Sequence, residues 1–318
     1  MNPKNFDQIL KYIQQANNIL LTVHRGHDGD ALGSITAMID LLEKHNTSYC
    51  AFLHEKPKKD FNFLPRLDKT TTEIQKNQKF DLVLILDCGS RDMSDPKSYE
   101  EHINENTDII NIDHHLSNDA FGNINYVNTK ASSTAEILID FFQHIKHNIN
   151  KQTATSLLCG IACDTEMFNN AATNEHVIQQ SSELLKLGGD MNLITKRIFQ
   201  NTNIKYAKFL GSLLKKVQHN KNLNLVSLVI TQDDVERSGL KEDEIYGVAN
   251  FLKNTNEGEI VLLLREEKDG KIKGSLRSKH INIEPFAQLL GGGGHNKAAG
   301  FTIEGNISQN SKGQYKID

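Results

Sequence analysis

The first half of the chain alternates short apolar runs with segments whose apolar residues recur every three or four positions. ILLTVH (19–24), SYCAFL (48–53), DLVLILD (81–87) and DIINID (108–113) read as strands, and 31–44 as the helix after the first of them. LVLIL lacks the polar alternation of a half-exposed strand and predicts a central one, buried on both sides. Together these runs predict an α/β domain on a mostly parallel sheet with helices on both faces. From about 132 to 217 the spacing turns helical, through SSTAEILIDFFQHI, QTATSLLCGIA, HVIQQSSELLKLG and YAKFLGSLLKKV. After 220 it changes again, to a strand in LNLVSLVI, a helix over 242–253, and EIVLLLREEKDGKIKGSLRS as a hairpin turning at Lys268-Asp269-Gly270. This predicts a smaller second α/β domain. The boundaries read as 1–190 for the first domain, 191–215 for a helical linker and 216–318 for the second, with a frayed polar tail after Gly305.

Composition narrows the function more than the fold. Forty acidic against 36 basic residues give a net charge of −4, so no global cationic field draws the protein to duplex DNA or anionic lipid. Any polyanion must be held by a local site. The apolar runs Leu82–Leu86 and Ile260–Leu264 are five residues long, against roughly 18 for a membrane span. The opening MNPKNFDQILKYIQQ reads as a helix and not as a secretory signal. Four cysteines without a C-x-x-C pair fit a reducing compartment, so the expected location is cytoplasmic.

Thirteen histidines invite individual inspection, because imidazole is a common metal ligand. His24, Asp28 and Asp30 form H-x3-D-x-D after the first strand, with Asp28 or Asp30 as a plain helix N-cap the bland alternative. Asp87 ends LVLILD, and Asp113, His114 and His115 end DIINIDHH. In open parallel sheets ligands gather beyond the carboxyl ends of strands, and three strand ends here carry ligand-type residues. Asp164 breaks an apolar helical segment, where a lone carboxylate is costly unless paired or metal-bound. These residues offer enough ligands for two divalent ions, and hard carboxylates favour Mn²⁺ or Mg²⁺, with Fe²⁺, Co²⁺ and Zn²⁺ left open. A paired-metal site suits phosphoryl transfer. In the second domain, GGGGHNKAAG (291–300) fails both the P-loop and G-x-G-x-x-G patterns, but its glycines and His295 before a helix-prone KAA could meet an anion at a helix start. Arg277 could clamp a phosphate, or be an exposed strand charge. His45, His54, His102, His144, His147, His176, His219 and His280 lie in polar sequence and read as surface residues.

In order and spacing, HRGHDGDALGS, LILDCGS, DHH and GIACDT resemble the four motifs of the DHH phosphoesterase superfamily, and SLRS with GGGGHNKAAG resembles the associated DHHA1 domain. The two-domain layout is most similar to the bacterial nanoRNase (oligoribonuclease) and pAp phosphatase subgroup, which trims very short oligonucleotides and removes the 3′-phosphate of 3′-phosphoadenosine 5′-phosphate (pAp). The resemblance implies an active site in a cleft between a DHH and a DHHA1 domain, with two Mn²⁺ for which Mg²⁺ or Co²⁺ can substitute. It implies that His24 and Asp28 hold one ion, that Asp30, His114 and Asp164 hold the other, and that Asp87 bridges them. Asp113 would orient His114, His115 would contact the scissile phosphate, and Arg277, Ser278, Gly292, Gly293, Gly294 and His295 would hold substrate. The implied substrates are short oligonucleotides, pAp and linear dinucleotides. An inorganic pyrophosphatase or exopolyphosphatase is the enzyme alternative, sharing the amino-terminal motifs, and a non-catalytic nucleotide-binding module is the other. His27 stands where the family usually has Pro, which bears on the rigidity of the turn, and Leu290 stands where an aromatic residue is common, which bears on nucleotide packing. A homodimer is compatible with the sequence, which carries no interface signal.

Overall fold

Six parallel strands organise the first half of the protein: β1 (Asn18–Val23), β2 (Ser48–Phe52), β3 (Thr70–Thr71), β4 (Leu82–Leu86), β5 (Asp108–Asp113) and β6 (Ile124–Val127). The computed structural model describes residues 4–200, 204–240, 245, 247–255, 257–310 and 315–317. The strand order is β3-β2-β1-β4-β5-β6. From β1 the chain steps outward to β2 and β3, returns to β4 beside β1, and steps outward again. The reversal between β1 and β4 opens a crevice beyond their carboxyl ends. β3 and β6, at two and four residues, are too short to leave a periodic signal and were not expected.

Side chains on the sheet sort by parity. Ile19, Leu21, Val23, Leu82, Leu84 and Leu86 share one core with Phe6, Ile35, Leu138, Leu157, Val177 and Ile194. Those six partners come from α1 (Lys4–Gln15), α2 (Gly29–Lys44), α3 (Thr134–His144), α4 (Lys151–Asp164), α5 (Glu175–Lys186) and α6 (Met191–Ile194). Leu20, Val83 and Ile85 point the other way, onto Phe80 and Tyr99. That face is covered by 3₁₀ turns at 92–94, 96–98 and 100–102, where helices were expected. Asp95 in the left-handed region (φ 46°) followed by Pro96 breaks this stretch into single turns. α2 and α4 approach closely through glycines: a Cβ on Gly33 would lie 2.4 Å from the Ser156 carbonyl oxygen, and one on Gly160 2.5 Å from the Asp30 carboxylate.

The chain divides into two compact units, Met1–Asn201 and Thr202–Asp318. The second opens with α7 (Ile204–Leu214), whose Phe209 and Leu213 join a core with Val226, Leu228 and Val261. Residues 191–215, expected as a linker, are thus shared out, with Ile194 of α6 packed in the first core and α7 in the second. β7 (Gln218–Asn220), β8 (Leu225–Ile230), α8 (Gln232–Ser238), α9 (Val248–Lys253), β9 (Ile260–Glu266), β10 (Lys271–Ser278), α10 (Glu284–Leu289), β11 (Gly293–His295) and β12 (Ala298–Glu304) complete it. The sheet runs β11-β12-β10-β9-β8-β7, with β8 and β9 parallel and the other pairs antiparallel. β9 and β10 form the expected hairpin. The helix expected over 242–253 begins only at Val248, and 241–244 and 246 lie outside the described residues. KAA after the glycines starts no helix. Lys297 lies in the β11–β12 turn and Ala298 and Ala299 open β12, whose Phe301 sits opposite Gly274 of β10 and fills the space a Cβ there would need, at 2.1 Å. The tail expected to fray pairs Ile307–Gln309 (β13) with Tyr315–Ile317 (β14). Among the described residues no helix is long and apolar enough to cross a membrane.

Candidate metal centre

The crevice at the strand reversal collects the residues singled out in the first half of the sequence. His24 follows β1, Asp87 follows β4, and His114 and His115 follow β5. Asp28 caps α2, its Oδ1 accepting from the amides of Asp30 (3.0 Å) and Ala31 (3.1 Å). The N-cap role and membership of the cluster coexist, since capping engages one oxygen only. Asp30, fully buried, accepts from the first amides of α3, Thr134 N–H at 2.6 Å and Ala135 N–H at 2.9 Å. The positive end of that helix favours a carboxylate there. Asp164 is the last residue of α4. Asp87 holds a left-handed backbone (φ 56°), an uncommon conformation for a residue with a side chain, at the point where β4 must turn away from the crevice.

Among the described residues, three sets of side chains bring ligand atoms within 4.8 Å of one another: His24, Asp28 and Asp87; Asp30, His114 and Asp164; and Asp87, His114 and His115. Asp87 joins the sets through both oxygens. Its Oδ2 lies 3.6 Å from His24 Nε2 and its Oδ1 3.6 Å from His114 Nε2, while Thr134 Oγ1 donates to Oδ1 at 3.0 Å. His114 Nε2 is also 3.1 Å from Asp164 Oδ2. His24 Nδ1 lies 2.7 Å from the Arg25 carbonyl oxygen, a contact that places a proton on Nδ1 and leaves Nε2 as the nitrogen that faces Asp87.

The electrostatics of the cluster follow from its crowding and burial. Burial, then the charges of Asp87 and Asp164, push the Asp30 carboxyl well above the usual range. Burial likewise raises Asp164 to about 6. Asp28 reaches solvent, yet the protein packed around it and the charge on Asp87 raise it too. Burial opposes charge on His24 and His114, but Asp87 for the first and Asp164 for the second outweigh it and lift each imidazole to about 9. Burial also acts to raise Asp87, and its imidazole neighbours, His24 foremost, bring it down to about 2. His114 Nε2 is buried between Asp164 Oδ2 at 3.1 Å and Asp87 Oδ1 at 3.6 Å, without a well-aligned hydrogen bond to either. Crowded carboxylates and imidazoles drawn toward a positive charge together fit divalent cations.

Asp113 departs from its expected partner. Its Oδ1 accepts from His115 Nδ1 at 2.7 Å, so it orients His115 and not His114, and Asn118 Nδ2 braces its Oδ2 at 2.6 Å. The contact raises His115 against the effect of burial. Asn118 and Thr134 escaped the sequence reading. The pattern of Ser133 with Glu136 three residues on marks a helix start, and could have placed Thr134 at an amide-rich end. Three histidines read as surface residues are enclosed. His102 is buried with Nδ1 on the Gln78 carbonyl (2.9 Å), His54 reaches the Val23 carbonyl (3.1 Å), and His147 reaches Asp40 (3.0 Å).

In the second unit, Arg277 and Gly291 to Gly294 line one shallow groove. Arg277 Nε donates to Asn250 Oδ1 at 2.7 Å, and Nη1 to the Leu276 carbonyl at 2.8 Å. Ser278 is fully buried, its hydroxyl 3.3 Å from Glu259 Oε1 and accepting from Ile281 N–H at 2.8 Å, so it braces the turn after β10 and does not face the groove. The side chain of His295 lies outside what the structure describes.

Residues 18–161 match the N-terminal domain of the DHH family, and residues 210–312 match the DHHA1 domain. A probable bifunctional oligoribonuclease and PAP phosphatase NrnA from Streptococcus mutans is 27% identical, over 93% of this chain and 92% of its own. The bifunctional oligoribonuclease and PAP phosphatase NrnA of Thermus thermophilus is also 27% identical, over 94% of this chain and 87% of its own. The crystal structure of an exopolyphosphatase-related protein from Bacteroides fragilis shares the fold, with a TM-score of 0.89 at 22% identity over 96% of this chain and 92% of that one.

Proposed function

The chain belongs to the DHH family, with a DHHA1 domain in its second unit, and from that premise we propose that it degrades short oligonucleotides to mononucleotides and removes the 3′-phosphate of pAp. The observation that carries this reading is Asp87, whose two oxygens face imidazoles of two different ligand sets. In the proposed assignment His24 and Asp28 would hold one cation and Asp30, His114 and Asp164 the other, with Asp87 contributing to both. The cations, Mn²⁺ in our reading, supply when bound an activated water at neutral pH and neutralise charge on the phosphoryl oxygens.

The remaining work falls to the chain. Asp113 engages His115 Nδ1, which leaves Nε2 as the nitrogen that meets the scissile phosphate. Arg277 and the backbone of Gly292 to Gly294 bind a substrate phosphate, and the net charge of −4 favours a short, end-recognised substrate over a long strand in a cationic groove. The names of the relatives, oligoribonuclease and PAP phosphatase, support nucleotide substrates over pyrophosphate.

The test compares wild type with Asp87→Ala on pAp, a diribonucleotide and pyrophosphate in the presence of Mn²⁺, scoring phosphate and mononucleotide release. The expected outcome is nucleotide-selective release that the variant loses. Undiminished turnover by the variant would overturn the metal assignment, and a preference for pyrophosphate would overturn the substrate.

A further inference from the structure

A cavity of about 170 Å³ in the second unit has Arg265, Lys273, Ser275 and Arg277 on its wall, above apolar side chains that include Ile230 and Leu263. Strand parity explains the grouping. Along β10, residues 273, 275 and 277 share one face, while Ile272, Gly274, Leu276 and Ser278 are buried on the other. Lys273 stands directly opposite Arg265 of β9 in the antiparallel ladder. Like charges in that position repel, and a sheet gains nothing from them unless an anion comes between. Glu267 answers Arg265 alone, accepting from Nε at 3.0 Å and Nη2 at 2.6 Å. The Lys273 ammonium makes no hydrogen bond or ion pair among the described residues.

Lys273 and Arg277 are four residues apart on an extended strand, so their Cα atoms are separated by roughly 13 Å. One phosphate does not span that distance, whereas two phosphates of a nucleotide chain, set closer together than these Cα atoms, are reached when the two long side chains lean toward each other. We propose that Lys273, with Arg265 opposite, forms a second phosphate subsite that holds a backbone phosphate of an oligonucleotide already engaged at Arg277. The proposal rests on the reading of Arg277 as a substrate contact and deepens it, because the subsite makes affinity rise with chain length. Ser275, between the two cations on the same face, adds a hydroxyl to the path.

Binding in EDTA tests this without hydrolysis. Fluorescently labelled di- and triribonucleotides are titrated with the full chain by anisotropy, for wild type, Lys273→Ala and Lys273→Arg, at several salt concentrations. Wild type is expected to bind the trinucleotide about ten-fold more tightly than the dinucleotide, a gain that Lys273→Ala loses and Lys273→Arg keeps. The slope of log affinity against log salt should fall by about 0.7 in Lys273→Ala, as for one lost phosphate contact on a single strand. Equal trinucleotide affinity and salt slope in wild type and Lys273→Ala would overturn the subsite. Displacement of the trinucleotide by inorganic phosphate as readily as by pAp would do so too, by reducing the cavity to a general anion site. Because nothing is cleaved in EDTA, a failure of the hydrolytic assignment shows only in the Mn²⁺ assay, and the two outcomes stay separate.

Discussion

Asp87 shows how much of a site can rest on one residue's backbone. A left-handed φ at a residue with a Cβ costs on the order of 1–2 kcal/mol, and the surrounding hydrogen bonds hold it in place. The sequence marks Asp87 as an acid at a strand end, but nothing in LILDCGS reveals that its two oxygens face opposite ways. The neighbouring motif was legible to a similar depth. DHH names an acid and two imidazoles at a strand end, yet the partner of Asp113 depends on how the chain turns after β5, and both following histidines are within local reach. The observed pairing predicts that Asp113→Asn lowers kcat by about 10- to 100-fold, the usual effect of losing an orienting carboxylate, while metal stoichiometry measured by calorimetry persists. Loss of metal instead would assign Asp113 to the ligand set. The buried histidines were illegible for a plainer reason: His147 meets Asp40 across 107 positions of sequence, and local polarity reports nothing about so distant a neighbour.

Among the elements, those with strong periodicity were read correctly: the strand in LVLIL, the helix after His24 and the hairpin at Lys268–Gly270 all stand as expected. Those that failed depend on tertiary partners. KAA is helix-prone in isolation, but pairing with β10 and the packing of Phe301 on Gly274 make it the end of a turn and the start of a strand. The contact between α2 and α4 was equally hidden, because a glycine in a helical pattern looks like a weakness until its neighbour is known. There the Gly160 Cα faces Asp30, with Ala135 on the other side. Gly160→Ala should therefore destabilise the protein by about 1–3 kcal/mol in urea unfolding, as overpacking does, and also weaken metal binding by displacing Asp30. Unchanged stability would mean that α4 shifts freely, and the close approach would then not set the position of Asp30.

On the scale of the molecule, a second charged cluster ties distant segments of the first unit. Asp40 of α2, 2% exposed, accepts from Lys44 (2.9 Å), His147 (3.0 Å) and Asn150 (3.1 Å) and pairs with Arg66. Burial acts to raise its carboxyl, but the donors, His147 first, hold it well below the usual range. A carboxyl depressed in the folded state stabilises fully above its unfolded pKa near ~4, and that contribution is lost as pH falls below it. Asp40→Asn should accordingly flatten the loss of stability between about pH 5 and pH 2, at the expense of stability at pH 7, when urea midpoints are followed against pH. An unaltered acid limb would remove Asp40 from the balance. The two-unit organisation and the α/β class were visible in the change of texture near residue 220, because periodicity accumulates over many residues. The spread of the metal-ligand candidates along the chain carries a consequence for synthesis. His24 and Asp164 are 140 residues apart, which at about 5–20 residues per second separates their emergence from the ribosome by roughly 7 to 30 s. The set of His24, Asp28 and Asp87 is complete once Asp87 has emerged, but that of Asp30, His114 and Asp164 stays open to the end of the interval, so assembly of the paired centre falls to the finished first unit.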